Sequence, residues 1–318
     1  MMQLLLTDTA TLESNGDLPL DVFDKFGKVT KFGNITREEL LTAAANAEII
    51  LCNKTVIDRE VMNAAPNLRY IGLFATGYNN IDIAAAKEKG ITVCNAGSYS
   101  TNAVTQQVIG YILMHYTKIS QYDAFVKQGG WKRSGVFSPL IFSGDEVYGK
   151  TLGIVGYGNI GKAVEKAAEG LGMNVLVHTR TVRENGKTKF VGFDTLLENS
   201  DIVTLHCPLN DTTRGMIGAD ELAKMKSSAF LINTARGPVV DSAALADALN
   251  RGAIAGAGID VFEAEPPLEP SHPLLHAKNT VVTPHVAFAT KESMLLRAEI
   301  VFDTLHAWLN DKRKNVIL

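Results

Sequence analysis

The chain is short of cysteine, of net charge and of long apolar runs, and each shortage closes off a class of protein. Its three cysteines, Cys52, Cys94 and Cys207, are scattered and odd in number. That argues against a disulfide framework and fits a reducing, cytoplasmic setting. Thirty-one basic residues stand against 34 acidic ones, for a formal charge of -3. Such a balance supplies no electrostatic drive toward nucleic acid or an anionic membrane surface. No stretch reaches the roughly 18 apolar residues of a membrane helix. The opening "MMQLLLTD" has neither the charged start nor the apolar length of a secretory signal. Short repeats and low-complexity segments are missing. So is any compact Cys/His cluster, which leaves a zinc-dependent chemistry on His206, Cys207 or His285 without support, and no metal is expected. The short basic run Lys312-Arg313-Lys314 reads as a solvated tail.

What is present is an ordinary globular composition, 46% apolar and 20% charged. The 318 residues suffice for one large or two medium domains. Short apolar runs alternate with helical patterns. They are "QLLLT" (3–7), "EIILC" (48–52), "LRYIGLF" (68–74) and "ITVCN" (91–95), then "TLGIV" (151–155), "NVLVH" (174–178), "DIVTLH" (201–206), "AFLIN" (229–233), "AIAGAGID" (253–260) and "TVVTP" (280–284). Near-continuous apolar strands separated by helices predict parallel sheets covered on both faces. These are too many strands for one sheet. The rhythm also breaks between 99 and 150, where a helical pattern over 102–128 gives way to the irregular "GGWKRSGVFSPLIFSGDEVYG". Two α/β domains are expected. The closing segment, apolar at 294, 298, 301, 305 and 308, predicts an amphipathic helix with no strand after it.

"GIVGYGNIGK" (153–162) places Gly156, Gly158 and Gly161 in a G-x-G-x-x-G spacing between a strand and a helix, with another strand near 174. This is the βαβ context of a dinucleotide fingerprint. Gly156 allows the tight turn, Gly158 lets the backbone approach a pyrophosphate, and Gly161 lets the helix pack on the strand. The helix N-terminus offers N–H groups and a positive dipole end to the phosphates. About 20 positions on, the fingerprint calls for an acid to hold the ribose 2′-hydroxyl. Here "VLVHTRT" puts Thr179 and Arg180 in that place. A carboxylate repels a 2′-phosphate and an arginine attracts one. The reading tilts to NADP over NAD, with Arg180 stacked on the adenine or facing water as the alternative.

Ligands of an open parallel sheet bind beyond the carboxyl ends of its strands. After 229–233 comes Arg236, after 253–260 come Glu263 and Glu265, and after 280–284 comes His285. A guanidinium can hold a carboxylate bidentately and polarise a neighbouring carbonyl. Histidine exchanges a proton near neutrality, and a carboxylate beside it fixes the ring. With a nicotinamide this set reduces a 2-oxo acid to a 2-hydroxy acid. Singly, each has a structural alternative: an ion pair for Arg236, a loop carboxylate for Glu265 or its rival Glu263, a core histidine for His285.

Five segments, "GKTLGIVGYGNIGKAV", "HCPLNDTTRGMI", "LINTARGPVVD", "GAGIDVFEAEPP" and "TPHVAFAT", resemble the D-isomer-specific 2-hydroxyacid dehydrogenase family, over most of the chain. "LFATGYNNID", "NAGSYSTNAVTQQ" and "NKTVID" look most like its glycerate dehydrogenase and hydroxypyruvate (glyoxylate) reductase branch. The resemblance implies two doubly wound parallel-sheet domains. A Rossmann dinucleotide-binding domain (99–287) would be inserted in a flavodoxin-like substrate domain (1–98 and 288–318). It implies Arg236 as carboxylate clamp, Glu265 as partner of His285 and His285 as proton donor. Asp260 would face the nicotinamide end of the cofactor, with Cys207, Pro208, Thr213 and Ala235 lining the pocket. Asn159, Ile160 and Thr234 of the same motifs complete the cofactor set. Thr76 and Gly77 would offer backbone amides to the substrate carboxylate. A homodimer and a small 2-oxo or 2-hydroxy acid as ligand are the implied partners. A sensor or corepressor-like protein on the same fold, or a dehydrogenase for D-lactate or 3-phosphoglycerate, are the competing readings.

Overall fold

The computed structural model describes residues 1–12, 18–182, 186–266 and 268–318. The chain divides into two compact units, Met1–Ser100 with Ala289–Leu318, and Thr101–Phe288.

The first unit is a parallel sheet of β1 (Met2–Leu6), β2 (Gly27–Lys31), β3 (Ile49–Cys52), β4 (Tyr70–Leu73) and β5 (Thr92–Cys94), in the order β2-β1-β3-β4-β5. Every residue of β3 and β4 is buried, as their unbroken apolar runs require of central strands covered on both faces. Strand β2 has no counterpart in the sequence reading. Its residues "GKVTK" are mostly polar and exposed, and it pairs only with β1. An edge strand needs no second apolar neighbour, so no apolar run marks it. The helices Arg37–Ala44, Arg59–Ala64 and Ile83–Glu88 each start on a side-chain cap, from Thr36, Asp58 and Asp82.

The last helix, Lys291–Leu309, is capped by Thr290 and buries Ala298, Val301 and Leu305 as the pattern predicts, but also Arg297 and Thr304. Arg297 is 0% exposed and donates to the carbonyls of Phe74 (3.1 Å) and Leu12 (3.4 Å). The tail does not end as loose chain. Val316 bridges Cys94 in antiparallel fashion, and the Val93 N–H donates to the Leu318 carbonyl, while no strand follows the helix among the described residues, as the pattern predicts. An exposed edge of β5 is thereby paired.

The second unit is a parallel sheet of β6 (Thr151–Val155), β7 (Asn174–His178), β8 (Ile202–Leu205), β9 (Phe230–Asn233), β10 (Gly256–Ile259) and β11 (Thr280–Val282), in the order β11-β10-β9-β8-β6-β7. One face carries Val155, Val203, Leu231 and Ile259 against Leu196, Leu222 and Leu245. The other carries Ile154, Ile202 and Ile232 against Val104, Val108 and Val164. The chain leaves β6 for β7 on one side and returns to β8 on the other. This reversal between β6 and β8 is the switch point where such sheets open a crevice. Beyond β7 an isolated parallel bridge joins Val177 to Phe190. The helical pattern over 102–128 breaks at Lys118, which is left-handed (φ 57°), into Thr101–Thr117 and Ile119–Lys127. Among the described residues no helix is long and apolar enough to cross a membrane.

Candidate active site

The glycine turn sits at the switch point, and its three glycines do different work. Gly156 has φ 95°, and a Cβ there would lie 2.6 Å from the Cys207 nitrogen. A Cβ on Gly161 would lie 2.4 Å from the Gly156 carbonyl oxygen. Both positions are therefore closed to larger residues by the packing of turn, helix and neighbouring loop. Gly158 faces the opposite case, with nothing within 4 Å of its Cβ position. It precedes the helix Asn159–Gly170, which has no side-chain cap bond and no acid in its first turn. The N-terminal end of the helix, with its positive dipole, thus meets open space beside Gly158. That is the cradle a pyrophosphate needs, so the residues fit a dinucleotide.

A cleft of about 920 Å³ opens there. Gly156, Gly158, Thr179 and Arg180 line one side, and Cys207, Pro208 and Thr213 come from the loop after β8. Thr213 ties that loop down, donating from Oγ1 to the Pro208 carbonyl (2.7 Å) and accepting from the Asn210 N–H (2.9 Å). Burial pushes the Cys207 thiol up, which suits a wall residue and not a nucleophile. Lys162 and Arg180 bring positive charge to the cleft, and no carboxylate lines it among the described residues. Lys162 lies over the Tyr157 ring at 5.7 Å. Lys162 adds its charge to the positive dipole end of the helix. Ile160 packs into the core, while Asn159 opens the helix.

Three strand ends of the same sheet carry the remaining predicted residues. After β9, buried Asn233 folds the turn: its Oδ1 accepts from the Ala235 N–H (3.0 Å) and its Nδ2 donates to the Arg236 carbonyl (3.0 Å). Ala235 is buried, and Thr234 Oγ1 is sealed without a hydrogen-bond partner. A Cβ on Gly237 would lie 1.9 Å from the carbonyl carbon of Phe262. Only glycine lets the Arg236 loop rest on the loop after β10.

After β10, Asp260 is 1% exposed and faces inward. Its Oδ1 accepts from the Val286 N–H (2.9 Å) and the Thr283 hydroxyl, and its Oδ2 from the Ala287 N–H (2.9 Å). Burial pushes its carboxyl up, against these hydrogen bonds. Asp260 thus organises the loop after β11, and Thr283 in turn meets the Tyr111 hydroxyl at 2.5 Å. That loop holds His285 at φ 54°, in the left-handed region a histidine rarely enters. The His285 N–H donates to the Asp260 carbonyl at 2.7 Å, which secures the conformation.

The His285 ring then meets Glu265, with Nδ1 and Oε2 2.5 Å apart. The other Glu265 oxygen accepts from the Phe262 N–H at 2.6 Å. Glu263 points elsewhere, to Ser242 Oγ (2.9 Å) and His272 Nε2 (3.2 Å). Of the two glutamates, Glu265 is the one that reaches His285 among the described residues. Pro267 of "VFEAEPP" lies outside the described residues. In the first unit, exposed Thr76 donates from Oγ1 to the Gly97 carbonyl (2.6 Å), and its own carbonyl accepts from Asn95 Nδ2 (2.7 Å). The backbone N–H groups of Thr76 and Gly77 meet no acceptor among the described residues. Asn233, Thr283 and Tyr111 escaped the sequence reading. Only Asn233 had a visible signal, as a turn-forming side chain at a strand end just before the arginine.

The family model for the D-isomer specific 2-hydroxyacid dehydrogenase NAD binding domain matches residues 109–287, more than half of the chain. A hydroxypyruvate reductase of Blautia hydrogenotrophica is 36% identical over 326 residues, covering 99% of each chain. A glycerate dehydrogenase of Methylorubrum extorquens is 42% identical over 284 residues, covering 89% of each. Among solved structures, an NADPH-dependent glyoxylate/hydroxypyruvate reductase from Sinorhizobium meliloti, in complex with NADP and malonate, superposes with a TM-score of 0.86 at 28% identity, covering 99% of this chain and 96% of that one. Two parallel α/β sheets, a glycine turn that fits a nicotinamide dinucleotide and these likenesses lead to one conclusion: the chain belongs to the D-isomer specific 2-hydroxyacid dehydrogenases.

Proposed function

We propose that the protein reduces a small 2-oxo acid, hydroxypyruvate or glyoxylate, to the D-2-hydroxy acid with NADPH or NADH. The observation that carries the reading is the His285–Glu265 pair, 2.5 Å apart and held at the carboxyl edge of the dinucleotide sheet. Bound nicotinamide supplies the hydride to the carbonyl carbon. The residues do the rest. The Arg236 fork holds the substrate carboxylate and polarises the carbonyl. Protonated His285 gives its Nε2 proton to the carbonyl oxygen as that oxygen gains charge, and Glu265 orients the ring and stabilises its positive charge. Oxidation of the hydroxy acid runs the same proton backwards. In the first unit the backbone amides of Thr76 and Gly77 are assigned to the carboxylate.

NADP is the favoured cofactor. Support comes from Thr179 and Arg180 at the end of β7 and from a cleft with cations and no carboxylate among its described lining residues. Asn159, Thr234, Ala235 and Asp260 complete the cofactor set in this reading, Asp260 by fixing the loop that bears His285. A homodimer is supported by the segment 119–148. Ile119, Trp131, Phe137 and Leu140 are exposed there, Phe137 at 92%, and its described residues bury only Gly130. An apolar segment that adds so little to its own core fits a second copy of the chain.

The test is oxidation of NADPH and of NADH with hydroxypyruvate, glyoxylate and pyruvate. Turnover led by either of the first two, faster with NADPH, is the expected outcome. No turnover with any pair overturns the reading.

A further inference from the structure

We propose that Glu263, gripped by Ser242 and His272, is a positioning clamp that sets Glu265 against His285 and steadies the loop of Arg236. The inference rests on the catalytic roles proposed for those three residues.

The difficulty it answers is mechanical. Glu265 must be held to within a fraction of an ångström, yet it stands on an irregular loop in which residues 263–266 are all exposed. Something other than core packing has to anchor that loop. Glu263 ties it to two further elements, by a hydrogen bond to Ser242 and a close approach to His272. Oε2 accepts from Ser242 Oγ at 2.9 Å, and Oε1 lies 3.2 Å from His272 Nε2. Both anchors are firm. Ser242 is 8% exposed and opens the helix Ser242–Arg251. The His272 side chain is 9% exposed, and its Nδ1 accepts from the Leu274 N–H at the start of the helix Pro273–His276. Its ring also stands edge-on to Phe262, with centroids 5.3 Å apart. Burial pushes the Glu263 carboxyl up, but bonds from its own N–H, Ser242 and His272 outweigh this and hold it below the usual range. The clamp is ionised at neutral pH.

The load passes through Phe262. Its N–H holds Glu265 Oε1 at 2.6 Å, and the opposite oxygen holds His285. The same stretch of backbone carries the close approach of Gly237, one residue after Arg236. Slack at Glu263 therefore reaches the proton donor's partner and the carboxylate clamp together. Glu263 does not touch His285, so its part is positioning.

The experiment compares wild type, Glu263→Ala, Glu263→Gln, Ser242→Ala and Glu265→Gln, alone and combined. Glu263→Ala should lower kcat by about 10- to 100-fold, the cost of displacing a catalytic group. Its dissociation constant for NADPH should stay at the wild-type value, which also shows that the second unit is folded. Glu263→Gln keeps an oxygen for Ser242 and should recover most of the loss. In a Glu265→Gln background, Glu263→Ala should cost much less than it does alone. A second readout needs no turnover: the downfield proton resonance of the His285–Glu265 hydrogen bond should broaden or vanish in Glu263→Ala. Wild-type kcat with an unchanged resonance overturns the clamp. So does a full, independent loss in the Glu265→Gln background. If the wild type itself turns over no 2-oxo acid, the functional reading fails and the resonance alone judges the clamp.

Discussion

Acidifying the protein from pH 7.5 to pH 5 should destabilise the second unit through His206. His206 follows β8, with its ring Nε2 3.0 Å from Thr204 Oγ1 and Nδ1 buried without a partner. Burial lowers its pKa from 6.5 to about 3. The folded state keeps the ring neutral, whereas the unfolded chain protonates it near its ordinary value. Between those values the unfolded state binds more protons, so stability falls as pH falls and the loss is complete only near pH 3. At pH 5 the ring lies about 1.5 pH units below its unfolded pKa, a loss of about 2 kcal/mol. The assay is urea unfolding of wild type and His206→Asn at both pH values, following the transition that bound cofactor moves to higher urea. The variant's lost bond to Thr204 is a constant offset, and His115, with a pKa lowered to about 4 chiefly by burial, contributes equally to both proteins. The difference of differences isolates His206. If both proteins lose the same stability on acidification, the ring takes a proton in the folded cleft without penalty, and the argument is wrong.

Other outcomes follow from the same geometry. Arg180→Ala should weaken NADPH binding about 10- to 100-fold in a fluorescence titration, the worth of a charge-assisted pair, while NADH binding changes little. Equal losses would show that Arg180 does not read a 2′-phosphate. His285→Ala should cut kcat by about 10²- to 10⁴-fold with cofactor affinity intact, and a variant of near-normal rate removes it as proton donor. Arg236→Lys should raise KM and lower kcat together, because a point charge cannot replace a planar fork; unchanged kinetics would deny a bidentate role. Gly156→Ala, strained at φ 95° and 2.6 Å from the Cys207 nitrogen, should lose cofactor binding and lower Tm, and wild-type affinity would contradict the packing described.

Much of this was legible in the sequence because the central strands are buried on both faces and must be apolar throughout. Strand β2 was not, since an edge strand with one neighbour may be as polar as "GKVTK". Arg297 hid for the reverse reason. It occupies a core position on the last helix but serves the Phe74 and Leu12 carbonyls, a role that periodicity cannot show. At the site, Arg236, Glu265 and His285 were readable from strand ends. Strand ends alone left Glu265 and Glu263 open, because two carboxylates two residues apart in a loop differ only in where the loop bends, and it was the family resemblance that chose Glu265. The network of Asp260, Thr283 and Tyr111 was likewise invisible, as its members are 172 residues apart at the widest.

The discontinuity of the first unit has a consequence for how the protein is made. Its sheet is encoded in the opening third of the chain, but the helix that buries Ala298, Val301 and Leu305 comes last. So does the segment whose Leu318 carbonyl accepts from Val93. On a ribosome that opening third emerges first, yet it must wait, its apolar strands lacking a partner that has not been synthesised. The unit Thr101–Phe288 is continuous and can close while translation is still running. The order of completion is therefore the reverse of the order of synthesis. During that interval the nascent first sheet is the stretch most in need of a chaperone.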